Sequence, residues 1–432
     1  MSVAPVLLPK GSTSDVIETR RHEILGLNGR LWRLALVAGI AQLSVSIWTW
    51  QFAIFLDTFL NPWDIGLTFT IGTLAALVGY PISGALADVV GRKKTMIFSF
   101  IPLCLGLFML YIIPVWPYVV ASYGLTQFGW SFIIIITRAM PADEIAREHM
   151  MDSTKKFTMV LMPAFLMDGI SPILAVLLIQ SGSSLSYLLL IGAVAGIVAL
   201  LLTVLFVQET LHPETKRKAR LEPKVSIRKL GQKFWYFTGG MVGYYLAWGL
   251  AIPYLGPLSV DAWGIDVSIY GLTWSAFSLS TVLLMYGLSS FADRGRRRAL
   301  IVGLAANGLI MILFGIGSGV LTMFALNILW AGPIVVWIGV ERSLAIDGVA
   351  DQFKGRALAT YQLITSITGL IATPAGALIW EITSSLRFLW ILSGLLALLS
   401  LSIIYWSIYY KPRPDITSNV KIRRKRVVQS RI

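Results

Sequence analysis

The sequence predicts an all-α integral membrane protein, with twelve transmembrane helices arranged as two pseudo-symmetric six-helix bundles. Three observations predict it: the composition, the placement of Lys and Arg, and an internal repeat. Of 432 residues, 56% are apolar and 13% charged, with a mean hydropathy of +0.74. Soluble domains are about 45–50% apolar and about 25% charged, so a water-soluble globule is excluded. A helical crossing consumes about 20 residues, and twelve fit in this length with room for loops.

Apolar runs read with a window of about 19 residues place spans at 34–55, 65–87, 95–113, 119–138, 157–180, 187–207, 234–257, 269–291, 299–317, 321–340, 357–380 and 388–410. The first 30 residues are polar and lack a short apolar core with a cleavage site, so the first span is kept. The implied organisation is a tail at 1–33, a bundle at 34–207, a linker at 208–233, a second bundle at 234–410 and a tail at 411–432. Twelve spans put 35 of the 36 Lys and Arg on one side, leaving only Arg387 on the other. By the positive-inside rule both termini are expected in the cytoplasm of a multi-pass cell-membrane protein. The net charge of +14 then belongs to a membrane surface, and no nucleic acid partner is expected. The run Lys216-Arg217-Lys218-Ala219-Arg220 suits anionic lipid.

The repeat has three anchors. Gly66-Leu67-Thr68-Phe69 returns as Gly271-Leu272-Thr273-Trp274, Asp88 and its basic followers return as Asp293 with Gly295 and Arg296 to Arg298, and Arg138 and Asp143 return as Arg342 and Asp347. The offset is 205, 205 and 204 residues. Two copies of a six-helix unit in one orientation form a parallel repeat, as in one class of transporter. Gly84-Ala85-Leu86-Ala87-Asp88-Val89-Val90-Gly91-Arg92-Lys93-Lys94 resembles the loop motif of the major facilitator superfamily, G-x-L-x-D-x-x-G-R-[RK]-[RK]. The resemblance implies that family's fold and a secondary transporter working by alternating access.

It also implies a cytoplasmic gate of Gly84, Asp88, Gly91, Arg92, Arg138, Asp293, Arg296 and Arg342. In proteins of this kind, the motif aspartate faces the start of span 11 and pairs with a basic residue near the end of span 4. The glycine lets another helix approach closely.

One charge is clearly central in the apolar spans. Asp168 lies twelve residues from both Lys156 and Gln180, about 18 Å of helix each way. A carboxylate at that depth costs about 2.5–3.5 kcal/mol on insertion scales, which makes it a functional candidate, here for proton coupling. Pro172, four residues on, has no N–H for the Asp168 carbonyl.

The resemblance places a solute cavity among spans 1, 4, 7 and 10. Helical spacing picks Gln42, Ser46 and Trp50, then Tyr123, Gln127 and Trp130, then Tyr244, Tyr245 and Trp248, and Asn327, Trp330 and Trp337. Amides beside rings suit a small organic solute with polar and apolar surface. No Lys or Arg falls at mid-depth, so a neutral or cationic solute is expected rather than an anion that needs a buried cation. The alternatives are an uncoupled facilitator of a sugar-like solute and a transport-inactive scaffold or receptor.

Enzyme chemistry is not expected. Cys104 is the only cysteine, His22, His149 and His212 show no ligand spacing, and no phosphate-binding loop with its lysine is present. No metal or cofactor is expected, and the partners are the bilayer, the solute and protons. In a Cys104-free background, cysteines at Lys218 and Ser418 should resist an impermeant thiol reagent in intact cells, while one at Ser184 should react. Labelling of Lys218 from outside would contradict the twelve-span arrangement.

Overall fold

The computed structural model describes residues 27–147, 153–210, 230–293, 295–345, 347, 349 and 354–409. The run Lys216 to Arg220, the three histidines and most of both tails lie outside the described residues. Twelve helices of 20 residues or more account for the spans. They are α1 (Gly29–Thr49, continued by Phe52–Asp57), α2 (Pro62–Val89), α3 (Arg92–Ile112), α4 (Tyr118–Arg147), α5 (Ser153–Gln180) and α6 (Leu185–Phe206). The second set is α7 (Gln232–Ala251), α8 (Val267–Asp293), α9 (Arg296–Ile316), α10 (Val320–Ala345), α11 (Lys354–Thr383) and α12 (Leu386–Tyr409).

Eleven of these are apolar and long enough to cross a bilayer by themselves, and α7 is the exception. Its three tyrosines, two tryptophans and four glycines dilute the hydropathy, yet it packs on α11 and α12 as α1 packs on α5 and α6. The outward surface is apolar, with Leu283, Leu321 and Leu399 among the most exposed side chains, as hydrocarbon contact requires.

Local sequence sets several helix starts. The Asn28 and Asn61 side chains accept from the backbone N–H of Leu31 and Asp64, each at 2.8 Å, and Pro62 opens α2, where a missing N–H costs nothing. Spans 1 and 7 differ from the continuous helices expected. The first breaks around Trp50 and Gln51, and Gln51 reaches toward the Leu185 carbonyl at 3.5 Å. The second breaks after Ala251 into short turns that contain Pro253 and Pro257, neither of which can donate to the helix. It ends in a wide turn closed by Trp263 N–H on the Leu258 carbonyl at 3.1 Å.

Packing repeats between the halves. In the first, α2 and α3 pack on α4, α3 and α1 on α6, and α1 on α5; in the second, α8 and α9 pack on α10, α9 and α7 on α12, and α7 on α11. Small residues allow the closest approaches, as is usual where no water drives helices together. A Cβ on Gly106 of α3 would lie 2.6 Å from the Ser122 carbonyl, and one on Gly129 of α4 would lie 2.5 Å from the Leu103 nitrogen.

The halves meet mainly through α5 against α8 and α2 against α11. Here the first repeat anchor finds its use. A Cβ on Gly66 would sit 2.4 Å from the Ala377 Cβ, and one on Gly271 would sit 2.7 Å from Val176 Cγ2. Both glycines lie at the end away from the basic loops, where Trp50 also packs on Tyr270. At that end Arg387 donates to the carbonyls of Gly317 (2.7 Å) and Ala262 (3.1 Å). The lone basic residue on this face thus satisfies the exposed carbonyl end of α9 and the turn after α7.

A Cβ on Gly376 would fall 2.1 Å from the Leu250 carbonyl oxygen, whereas nothing lies within 4 Å of one on Gly239. Gly376→Ala should therefore lower the melting temperature of the purified protein by the equivalent of about 1–3 kcal/mol. Gly239→Ala should leave it unchanged or raise it, by up to about 1 kcal/mol.

Candidate functional site

Toward the basic end the bundles part around a cavity of about 710 Å³, lined by α2, α4, α10 and α11. Two smaller chambers flank it. One of about 200 Å³ in the first half has Gln42, Trp130, Arg138 and Asp168 on its wall. The other, about 260 Å³ in the second half, is walled by Tyr245, Trp248, Trp274, Phe277, Trp330 and Trp337 and closed by Glu341 and Arg342.

Arg138 and Arg342 connect the three spaces. Arg138 lines the central and first-half chambers and Arg342 the central and second-half chambers. The repeat places them as equivalents on α4 and α10. Both side chains are exposed, and neither forms an ion pair or hydrogen bond among the described residues. No Lys or Arg was expected at mid-depth; these two stand at the basic ends of their helices and still line the cavity. Read linearly, both arginines belong to loop ends, but the cavity reaches down to them because the bundles diverge at that end.

Asp168 joins the two halves. Its carboxylate accepts from Ser46 at 2.5 Å and Gln42 at 3.4 Å on α1, and from Ser278 at 3.0 Å on α8. Gln42 also donates to Ser46 at 2.8 Å. Three side-chain donors on one carboxylate satisfy a charge that would otherwise be costly in the membrane interior.

A buried carboxyl beside the second-half chamber was not picked from the sequence. Glu341 is only 4% exposed and accepts from Tyr245 at 2.7 Å and from the Tyr361 hydroxyl. Its position next to Arg342 reads as a loop pair, and its tyrosine partners come from α7 and α11, distant in the chain. The available signal was that position 341 precedes a repeat-equivalent arginine inside the cavity-forming span.

The expected solute residues divide. Gln42, Trp130, Tyr245, Trp248, Trp330 and Trp337 stand on chamber walls, and Ser46 lies behind Gln42 on Asp168. The others are packed elsewhere. Trp50 fills the contact with Tyr270 and Gly271. Tyr123 stacks on Phe52 and meets Phe69 edge to face, and Gln127 lies with it against Gly72 of α2. The Tyr244 hydroxyl accepts from Asn307, whose side-chain oxygen takes the Trp330 N–H at 2.5 Å. Asn327 is fully buried and bonds to the Met323 carbonyl at 3.0 Å. These four spans have two polar faces each, and helical period alone does not say which one meets a neighbouring helix.

At the basic end, Gly91 has φ +124°, and a Cβ there would meet a Glu209 carboxylate oxygen at 2.4 Å. That carboxylate caps α3, accepting from the N–H of Arg92 at 2.9 Å and of Lys93 at 3.2 Å. The Arg92 side chain reaches Asp143 at 3.2 Å, and the repeat-equivalent Arg297 lies 3.7 Å from Asp347. Lys233 also donates to Asp347 at 2.6 Å, and this bond holds the Asp347 carboxyl below the usual carboxylate range. Arg296 is exposed, and the side chains of Asp88 and Asp293 lie outside the described residues. Nothing lies within 4 Å of a Cβ built on Gly84, so the close helix approach expected there is not made; the diverging bundles leave it on the cavity wall.

The family model described as the Major Facilitator Superfamily matches residues 34–244. That match takes in the first six helices and most of α7, just under half of the chain. The transporter is 25% identical over 305 residues to the enterobactin exporter EntS of Shigella flexneri, covering 66% of this chain and 67% of the relative. Against the Escherichia coli O139:H28 counterpart it is 25% identical over 310 residues, covering 66% and 68%. In fold it is similar to the nucleoside transporter NupG, with a TM-score of 0.71 at 14% identity over 89% of this chain and all of that one. It is also similar to the human organic anion transporter MFSD10 (TETRAN), with a TM-score of 0.62 at 14% identity over 87% and 99%. The molecule is a membrane transporter and not an enzyme.

Proposed function

We propose that this transporter carries an organic anion with a flat or bulky apolar part across the cell membrane by alternating access, and that Asp168 couples the movement to protons. The observation that carries the reading is the pair of guanidiniums, Arg138 and Arg342, exposed in one cavity of about 710 Å³ with no carboxylate partner among the described residues. Charge-assisted, often bidentate bonds to a carboxylate, phosphate or sulfonate are what Arg supplies best. The ring-walled chamber beside Arg342 takes the apolar part. Glu341 and Asp168 form no ion pair with these arginines and accept instead from hydroxyl and amide donors. This replaces the neutral or cationic solute expected from the sequence. The curated relatives are exporters by name, which favours outward movement.

With the basic loops, linker and tails in the cytoplasm, the cavity opens inward and the Gly66 and Gly271 contacts close the outside. On reversal, α11 would approach the open wall at Gly84 and the Asp88 loop would latch the inner end. Asp168 is placed to link protons to that motion. Its bond to Ser278 is a charge-assisted tie between α5 and α8. A proton on the carboxyl removes the charge and loosens the tie.

A thermal-shift screen of the purified protein should find stabilisation by aromatic carboxylates, sulfonates or catecholates above that by sugars, nucleosides or organic cations. Arg138→Gln and Arg342→Gln should each weaken the stabilising ligand about tenfold or more, since a hydrogen bond to a charged group contributes about 1.5–3 kcal/mol. Stabilisation by cations alone, unchanged in both variants, would overturn the anion reading. In proteoliposomes, Asp168→Asn should abolish uphill transport while counterflow persists. Full uphill activity in that variant would remove Asp168 from the coupling.

A further inference from the structure

The second-half chamber carries two polar groups that the packing leaves unfinished. Tyr245 and Tyr361 both donate to Oε1 of Glu341, and no described residue donates to Oε2. One turn earlier on the same face of α10, Trp337 is 5% exposed, and among the described residues its indole N–H closes no hydrogen bond. Both residues line the chamber, beside Arg342. Most buried polar groups in folded proteins are satisfied, and those just behind this wall are: the Trp330 N–H goes to Asn307, and the Asn307 amide to Tyr244. An acceptor and a donor left open on one cavity wall call for a group that arrives from outside.

Size and charge narrow what that group is. The chamber holds about 260 Å³, and an apolar cavity of about 150 Å³ accommodates one benzene, so there is room for a ring with substituents. Trp248, Trp274, Phe277 and Trp330 offer it ring faces. Rings beside a carboxylate would also suit an ammonium. The Arg342 guanidinium, however, stands on the same wall in no ion pair, and it would repel a second cation. A hydroxyl meets both needs without charge, because its O–H donates to a carboxylate oxygen while its lone pairs accept from an N–H.

We propose that the second-half chamber is a subsite for a ring bearing a hydroxyl, which donates to Glu341 Oε2 while the anionic group of the same molecule lies on Arg342. The subsite deepens the anion reading and rests on it for the second contact alone. Glu341 then sets specificity. A ring without the hydroxyl, or with the hydroxyl capped as a methyl ether, displaces water from Oε2 and gives it no donor in return. Sites that hydrogen-bond a solute hydroxyl reject the analogue lacking it far more strongly than sites that only measure size. Tyr245 and Tyr361 are positioning residues: by occupying Oε1 from α7 and α11 they leave Oε2 as the free oxygen.

The test is calorimetric titration of the purified transporter with para-hydroxyphenylpropanoate, phenylpropanoate and para-methoxyphenylpropanoate, and with phenol and anisole as the matching uncharged pair. The hydroxylated acid should bind about tenfold or more tightly than the other two acids, as expected for a hydrogen bond to a charged group. Glu341→Gln should abolish that preference, because an amide N–H then faces the chamber and gives equally to a hydroxyl or an ether oxygen. Tyr361→Phe, which removes a donor from Oε1 only, should retain it. Arg342→Gln should weaken the three acids alike and keep their order. Equal binding of the three acids by the parent, which needs no variant, overturns the subsite and leaves the anion reading standing. A preference for phenol over anisole with no binding of any acid does the reverse. A hydroxyl preference that survives in Glu341→Gln overturns the subsite, as does binding of phenethylamine tighter than that of every phenol, and so does the absence of any difference among the probes.

Discussion

Two glycines related by the internal repeat, Gly66 and Gly271, hold the halves together at one end only. With no Cβ, they let α2 reach Ala377 of α11 and α8 reach Val176 of α5. From that contact outward, the helices diverge, and the divergence opens the space into which Arg138 and Arg342 face, with Asp168 on the smaller chamber beside it. A larger residue at either glycine would push the halves apart at that end, and the cavity at the other end would lose its shape with it.

The polar groups inside this apolar frame are arranged by what each costs when left alone. Buried carboxylates are expensive unless donors reach them. Asp168 collects donors from α1 and α8, and Glu341 collects phenolic hydroxyls from α7 and α11. Arginines tolerate partial hydration better than most charges, and Arg138 and Arg342, in no ion pair with a described residue, stand on the cavity wall. An asymmetry follows: the acids are tied to the helix framework and the bases are left for something that enters.

The breaks in the first and seventh spans have a related logic. Ending α1 and α7 early lets short segments fold over the closed end, where a straight helix would project past its neighbour. Pro253 and Pro257 enforce the second break, because neither offers an N–H for helix continuation. The first break has no proline, and its Gln51 side chain turns to the start of α6 instead.

The sequence by itself determined the number of spans, the repeat and the family resemblance. Those follow from how many consecutive apolar residues a bilayer demands, from the sorting of Lys and Arg, and from the Asp88 loop, all of which are local in the chain. It also singled out Asp168, because one acid in the middle of an apolar run stands out without any fold. It did not determine which polar face of a span meets the cavity. Tyr123, Tyr244 and Asn327 follow the same helical spacing as Trp130, Tyr245 and Trp337, but the first set packs between helices and the second lines the chambers. Nor did it reveal that Arg138 and Arg342 share a space or that Glu341 is clasped by two tyrosines. Each of those pairs joins residues far apart in the chain, and only the packing of one half on the other decides whether such residues meet.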